Sequence, residues 1–202
     1  MGSPTGITVA DPLPSSRSET RAALLSLLAA PRLRADAAAE LQRLLASLES
    51  SQPADLQRDR SLLAGVWQLR WSSSSLPYLA VAPWLENLQL LDPERGRGLN
   101  LLRPAGPLAP LAAIAVQADL TLVPAVGGEP AQRVAVRFRR GGWLGPRLAD
   151  RRLQLLRELR QSFPAWLDIT VLDAELRICR GQAGTLFVLT RRPDLHLRDW
   201  LP

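Results

Sequence analysis

The sequence predicts a mainly β fold, an antiparallel β-barrel preceded by an N-terminal α-helical hairpin. Apolar residues recur at helical spacing before position 50, and from Gly65 onward they alternate with polar residues at every second position, the period of a half-buried strand. The alternating segments are short and closely linked over roughly 130 residues, which is typical of an antiparallel meander. A sheet of this kind can close on itself and leave an interior that holds one small ligand.

Composition limits the chemistry that this chain can perform. It has 202 residues, 47% of them hydrophobic, which is enough for a core without covalent cross-links. A single Cys and a single His exclude an internal disulfide and a Cys/His zinc cluster, so we expect no metal. The 25 basic residues are all Arg and the formal charge is +6. Because guanidinium binds phosphate well, we expect an anionic partner: lipid headgroups, nucleic acid or an acidic protein.

The N-terminal part is expected to contain an arm and the helical hairpin. Residues 1–18 are rich in Ser and Pro and lack an apolar core, which predicts a flexible arm without a targeting segment. Residues 19–50 are expected to form the hairpin, packed on the barrel, with a break at Pro31. Its apolar positions are Leu24, Leu25, Leu27, Leu28, Leu41, Leu44, Leu45 and Leu48. No uncharged run is long enough to span a bilayer, so we expect a soluble or peripheral protein.

The barrel is predicted over residues 60–192, followed by a C-terminal tail over residues 193–202. Alternation is clear at residues 66–71, 114–122, 133–139 and 172–179, and weaker strands are expected at 88–91 and 99–103. A final apolar strand is expected at 185–189, after a turn at residues 181–184. These segments predict seven or eight strands. Which face of each strand points inward stays open at this stage.

One stretch interrupts the β pattern and predicts a helix over residues 147–163. Its Leu residues favour one side and its Arg residues cover the rest. Such a helix could lie on an anionic membrane, with Trp143 at the headgroup level. The alternative is a helix packed on the barrel with its Arg side chains in water. The candidate membrane-surface residues are Trp143, Arg151, Arg152, Arg157 and Arg160.

Two motifs at the ends of the β region resemble a known family. The opening LLAGVWQLRWSS at residues 62–73 and the closing LDAELRICRG at 172–181, followed by GTLFVL at 184–189, are similar to the ends of the plastid lipid-associated proteins, also called fibrillins. The resemblance spans about residues 20–192 and is fairly specific in order and separation. Trp71 and Val171 depart from it, because Tyr is usual at both positions.

The resemblance implies a lipocalin-like barrel, peripheral at plastoglobules or thylakoids, that binds carotenoids, quinones or other lipids. It implies no shared catalytic reaction and no required cofactor. The lack of a transit peptide favours a cyanobacterial member at the cytoplasmic face of the thylakoid membrane or on lipid bodies.

Physical reasoning assigns roles to the motif residues. Gly65 allows a close approach at the barrel base, Trp67 supplies a large flat plug, and Arg177 or Arg180 is expected to lie across its indole. Ligand would then enter from the opposite mouth. The predicted ligand-binding or plug residues are Trp67, Leu69, Trp71, Arg177, Arg180 and Phe187. The predicted hairpin-fixing residues are Asp173, Gly181 and Gly184, with Asp173 paired to Arg177.

The favoured function is non-catalytic carriage or sequestration of a hydrophobic molecule at a lipid surface. A structural lipid-surface coat with a filled interior is the main alternative, and the oligomeric state stays open. A chromophore-handling enzyme is a weaker alternative, with Asp119, Asp173 and Glu175 as candidate acids, and Cys179 and His196 are too far apart in sequence to suggest a nucleophile pair. No specific nucleic acid is expected, because Phe138 faces away from its Arg neighbours.

Overall fold

The structure, a computed structural model, describes residues 16–30, 37–51, 53–79, 81–149, 151–160 and 165–201. The chain divides into two compact units, residues 1–51 and residues 52–202. The first contains a pair of helices and the second contains the whole sheet. The predicted mainly β fold with a preceding helical pair is therefore confirmed, while the packing of the pair on the barrel stays a prediction.

The helical unit consists of α1 (Arg17–Ala29) and α2 (Ala37–Ser51), which pack against each other. The Leu residues at helical spacing supply most of its buried side chains. The break predicted at Pro31 lies outside the described residues. None of the described helices is both long and apolar enough to cross a bilayer.

A capping box starts the first helix. The Ser16 hydroxyl accepts a hydrogen bond from the Glu19 amide at 3.2 Å, and the Glu19 carboxylate accepts one from the Ser16 amide at 3.2 Å. Each side chain thereby satisfies a backbone donor that a helix terminus leaves unpaired. The helix thus begins inside the arm predicted over residues 1–18, and residues 1–15 of that arm lie outside the described residues.

The described part of the second unit contains a short helix, α3 (Arg60–Leu63), and nine strands in one antiparallel sheet. The strands are β1 (Gly65–Ser72), β2 (Leu85–Asp92), β3 (Arg97–Pro104), β4 (Ala113–Leu122), β5 (Arg133–Leu148), β6 (Arg151–Glu158), β7 (Ala165–Leu172), β8 (Leu176–Gly181) and β9 (Leu186–Arg191). Pairing runs from β1 through β2, β3, β4, β5, β7, β8 and β9 and back to β1. Eight strands therefore close a ring, and within the described residues β6 pairs only with β5.

Antiparallel pairing gives the ring two distinct ends. The β1–β2, β3–β4, β5–β6 and β8–β9 connections lie at one end, which we call the mouth. The β2–β3, β4–β5 and β7–β8 connections and the start of β1 lie at the other, which we call the base.

The helix predicted over residues 147–163 is wrong. Residues 147–148 end β5, and residues 151–158 form β6. Among the described residues, the part of β5 that pairs with β7 is Arg133–Val136 alone, so the second half of that long strand has an edge that β6 fills. Backbone hydrogen bonding along this edge outweighs the helical spacing of the Leu residues, and the strand places Leu155 and Leu156 on opposite faces.

The single strand predicted over residues 172–179 is also wrong, because a turn divides it. β7 ends at Leu172 and β8 begins at Leu176. The Asp173 carboxylate accepts hydrogen bonds from the Glu175 and Leu176 amides, both at 2.8 Å, a typical Asx turn. β7 itself is a strand that the alternation did not predict.

Two apolar cores lie on opposite faces of the barrel wall. The inner core includes Trp67, Leu69, Val134, Ile169 and Leu189. The outer core lies between the sheet and the C-terminal segment, and it includes Val66, Leu88, Leu90, Leu99, Leu101, Ala115, Leu144 and Leu201. Several strands therefore bury side chains on both faces, so hydrophobicity alone does not distinguish inside from outside.

Candidate functional site: a cavity at the barrel mouth

An open cavity of about 440 Å³ lies on the inner face of β2, β3, β4 and β5, toward the mouth. This volume is in the range of small-molecule sites. Its lining consists of Tyr78, Leu79, Asn87, Gln89, Asn100, Leu101, Leu102, Ile114, Val116, Phe138 and Leu159. The lining is mainly apolar, with three side-chain amides grouped on β2 and β3.

The strand register explains how these residues meet. Gln89 on β2 lies opposite Asn100 on β3, and Asn100 lies opposite Val116 on β4. Val116 in turn lies opposite Gly141 on β5. Directly opposite residues of antiparallel strands share one face, so this row crosses the inner wall. A side chain at Gly141 would contact Leu159 at about 3.0 Å, so the glycine makes room for that lining residue.

The apolar inner wall continues beyond the closed ring as an exposed lip. Ile114, Trp143 and Leu155 lie opposite one another on β4, β5 and β6, so they form a single row on the inner face. All three are exposed, with Trp143 at 41%. The Trp143 ring lies over Gly145, where a side chain would displace it. We call Ile114, Trp143 and Leu155 the lip.

The base of the barrel is closed by the side chain of Trp67. It is fully buried, and its indole Nε1 donates a hydrogen bond to the Leu63 carbonyl at 3.0 Å. The Arg191 guanidinium lies 4.3 Å from the centre of the indole, and that of Arg177 lies 5.1 Å from it. The cavity is therefore open toward the mouth and not toward the base.

Arg191, rather than Arg180, accompanies Arg177 at this indole. Its guanidinium donates to the carbonyls of Ala64, at 2.7 Å, and Leu62, at 2.5 Å, tying the base of the barrel to α3. It occupies the space that a side chain at Gly65 would need, so the close approach expected there involves a guanidinium. Arg180 is exposed on the outer face of β8.

Two titratable groups are buried inside the barrel near this plug. Arg177 is 1% exposed and donates a hydrogen bond to the Gln89 Oε1. Burial lowers the pKa of the Arg177 guanidinium from its ordinary value. Burial raises the pKa of the neighbouring Cys179 thiol, although the positive charge of Arg177 opposes this effect. The thiol is therefore kept in its neutral form.

The remaining predicted ligand-binding residues divide between the two faces. Leu69 and Phe187 belong to the inner core. Trp71 lies opposite Val188, which alternates with the inward Phe187 and Leu189, so Trp71 shares the outer face. A β-bulge between Leu69 and Trp71 causes this reversal, since one extra residue shifts the alternation.

The hairpin-fixing residues lie in two turns at opposite ends. Asp173 holds the β7–β8 turn through the two backbone amides described above. In the β8–β9 turn, the Gly184 amide donates to the Gly181 carbonyl at 2.8 Å, and the Gly181 amide donates to the Thr185 carbonyl at 2.8 Å. Gly184 has a φ of 75°, a conformation that favours glycine.

The candidate membrane-surface residues lie on the β5–β6 hairpin and just after it. Trp143 belongs to the lip, and Arg151 and Arg157 are exposed on the same face of β6 as Leu155. Arg160 is exposed beyond the end of β6. Arg152 faces the other way, where its guanidinium lies 4.0 Å from the centre of the Trp200 ring.

The carboxylates considered as acids lie outside the cavity. Asp119 is half exposed on the outer face, where it pairs with Arg139 at 3.6 Å. Asp173 and Glu175 lie in the β7–β8 turn at the base. The structure does not bring Cys179 and His196 together, since the first is buried in the barrel and the second is exposed in the tail. Among the described residues, no group of three His, Cys, Asp or Glu side chains could hold a metal ion.

The cavity-lining residues themselves were missed by sequence reasoning. Gln89 and Asn100 alternate with buried leucines in β2 and β3, which made them look like solvent-facing positions. The available signal was that the face carrying these amides holds no charged residue in either strand, whereas a solvated wall usually does. The charged residues of the two strands all lie on the leucine face, namely Glu86, Asp92, Arg97 and Arg103. Because the C-terminal segment covers the leucine face, the amides are left to face the interior.

Exposed apolar side chains are concentrated at the mouth end. Of thirteen large ones among the described residues, twelve lie in the mouth loops, at the start of β4 or along the β5–β6 hairpin. They are Leu76, Tyr78, Val81, Trp84, Leu108, Leu111, Ile114, Trp143, Leu148, Leu153, Leu155 and Leu159. The thirteenth, Val126, lies in the β4–β5 loop at the base. This distribution gives the mouth the character of an interaction surface.

Comparison with known proteins produced one family match. The PAP_fibrillin family model matches residues 28–190, which includes both motifs and every strand of the ring except the last residue of β9. Neither the curated proteins nor the solved structures gave a match.

Proposed function

This chain belongs to the PAP/fibrillin family of lipid-associated proteins, and on that premise we propose that it binds a hydrophobic small molecule without transforming it. The ligand is a carotenoid, a quinone or another lipid, and it occupies the cavity at the mouth. The observation that carries this proposal is the open, mainly apolar cavity of about 440 Å³, closed below by the Trp67 plug.

The lip extends the binding surface for long ligands. An apolar chain leaving the cavity at Ile114 meets Trp143 and then Leu155 on the same face of the sheet. Packing such a chain against these side chains removes apolar surface of both the ligand and the protein from water, which favours binding. The site therefore suits a molecule whose tail is longer than the cavity itself.

The protein is proposed to load its ligand with the mouth against an anionic lipid surface, at the thylakoid membrane or on a lipid body. Twelve exposed apolar side chains surround the mouth, and Trp143 has the amphipathic ring that membrane interfaces favour. The β5–β6 hairpin adds Arg147, Arg151 and Arg157, all exposed. Their charge complements anionic headgroups, and a ligand could then pass between lipid and cavity without crossing water.

Vesicle flotation tests this surface. Wild-type protein is expected to float with vesicles that contain phosphatidylglycerol, and less with pure phosphatidylcholine. Leu155→Glu should reduce flotation severalfold, because it places a negative charge in the lip. Val126→Glu is the matched control, since Val126 is 85% exposed at the base. Equal losses in the two variants would contradict the proposed orientation.

Ligand retention tests the binding function directly. Protein reisolated from vesicles that carry a carotenoid, a quinone and a galactolipid is expected to retain at least one of them, identified by mass spectrometry. Val116→Trp, which fills the cavity from β4, should abolish retention and leave flotation unchanged. A folded wild-type protein that retains none of the three would refute carriage.

The coat alternative rests on the same exposed mouth residues. A coat protein needs lipid contact but no internal ligand, so it predicts normal flotation together with an empty cavity. Retention by the wild type and its loss in Val116→Trp would distinguish carriage from a coat.

A further inference from the structure

The inner end of the cavity is polar, although its walls are apolar. Gln89 and Asn100 lie opposite each other on β2 and β3 and both line the cavity. The third amide, that of Asn87, already donates to the Tyr78 carbonyl at 2.8 Å. Within the described part of the chain, the Asn100 side chain makes no hydrogen bond, so its amide is available to a ligand.

A buried cation lies directly behind these amides. The guanidinium of Arg177 is inside the barrel, and one of its terminal nitrogens donates to the Gln89 Oε1. Its Nε has no hydrogen-bond partner, and no carboxylate among the described residues pairs with it. An arginine stays charged in proteins, and a buried charge without a counter-charge is costly. The positive potential at this point therefore favours an electron-rich group nearby.

The hydrogen bond from Arg177 also orients the Gln89 amide. Because its oxygen accepts from the guanidinium and the side chain lines the cavity, its NH₂ group is the part left to donate to a ligand. The wall beyond it is apolar, formed by Leu102, Val116 and Phe138. The site thus combines donors and positive potential at one end with an apolar path to the lip.

We propose that the ligand of this cavity is an amphiphile whose apolar chain carries a hydrogen-bond-accepting carbonyl or carboxylate oxygen at one end, and that the Gln89 and Asn100 amides bind this oxygen. The inference rests on the proposed function and narrows it, because a pure hydrocarbon would leave these donors unpaired. Leaving buried donors unpaired is a larger penalty than losing one apolar contact.

Dye displacement tests this ligand class. The neutral dye N-phenyl-1-naphthylamine is bound to wild-type protein and displaced by three probes: a decyl-substituted benzoquinone, dodecanoate and dodecylbenzene. The two oxygen-bearing probes are expected to displace the dye at concentrations about tenfold lower than the hydrocarbon. The quinone and the fatty acid distinguish a neutral carbonyl from a carboxylate, and stronger displacement by either supports the proposal.

Gln89→Glu is the decisive variant. It keeps an acceptor for Arg177, so the fold is expected to persist, but it replaces the donors that face the cavity with a negative oxygen. The advantage of the oxygen-bearing probes over dodecylbenzene, measured as the ratio of their displacement concentrations on the same variant, should disappear. Asn100→Leu is expected to reduce the same advantage without touching Arg177. Gln68→Glu is the matched control, since the Gln68 Oε1 also accepts from an arginine, Arg192 at 3.0 Å, but on the outer face.

The outcomes separate this inference from the proposed function. Equal displacement by all three probes, or equal weakening of all three in Gln89→Glu, would overturn the inference and leave hydrophobic binding intact. Failure of the dye and of every probe to bind the wild type would overturn both.

Discussion

Replacing Trp67 by Phe should lower the free energy of unfolding by about 3 to 4 kcal/mol. The change removes the hydrogen bond to the Leu63 carbonyl, a net loss of about 1 kcal/mol. It also leaves a void the size of the lost pyrrole part in a fully buried site, which costs about 1.5 to 2 kcal/mol. The weaker attraction of a phenyl ring for Arg191 and Arg177 adds about 0.5 to 1 kcal/mol.

Urea unfolding followed by circular dichroism measures this effect without relying on tryptophan fluorescence. Trp143→Phe is the matched control, because Trp143 is exposed on the lip and should change stability by less than about 0.5 kcal/mol. If Trp67→Phe shifts the unfolding free energy no more than the control does, the indole and its two guanidinium neighbours do not hold the base together.

Three further predictions concern the base, an ion cluster and the buried thiol. Gly65→Ala should destabilise by about 1 to 3 kcal/mol, measured by urea unfolding, because φ is 139° and Arg191 occupies the space. Burial alone would raise the pKa of Glu86, but hydrogen bonds from Arg192 and Arg103 lower it by a larger amount, so the pKa lies below its ordinary value of 4.5. The ionised Glu86 carboxylate thus stabilises the folded state above about pH 4.5, and this stabilisation is lost as the pH falls. Glu86→Gln should therefore weaken the fall of the urea unfolding midpoint at acid pH. Burial raises the pKa of Cys179 above 9.0, so stability should decline as pH rises beyond that value, and Ellman's reagent should label the thiol only after unfolding.

Local features were predictable where one segment decided its own conformation. The helices follow from Leu at helical spacing, β1 follows from alternation, and β9 follows from an apolar run after a glycine-containing turn. The β8–β9 turn follows from its glycines in the same way. The helix prediction for residues 147–163 failed because the Leu spacing favours a helix, whereas the free edge of β5, a feature of the folded sheet, decides in favour of a strand.

The site was less predictable than the fold. The plug residue Trp67 and its neighbour Arg177 could be chosen from the motifs, whereas the second guanidinium, Arg191, sits just outside them. The alternation places Trp71 on the same face as Trp67 and Leu69, but a bulge that leaves no mark in the sequence pattern turns it to the outer face. The cavity amides looked like solvent-facing positions until the opposite face was seen to be covered.

The sequence alone determined the fold class, the helical pair, the motifs at both ends of the β region and the family, because periodicity, turn chemistry and motif spacing are properties of neighbouring residues. Only the tertiary structure decided which face of each strand encloses the cavity. Leu88 and Gln89 are adjacent, yet the first is buried under the C-terminal segment and the second faces the ligand space. Which face of a strand becomes buried on the outside depends on the distant segment that packs against it. The free energy gained by burying that face arises only in the folded barrel and not within one strand.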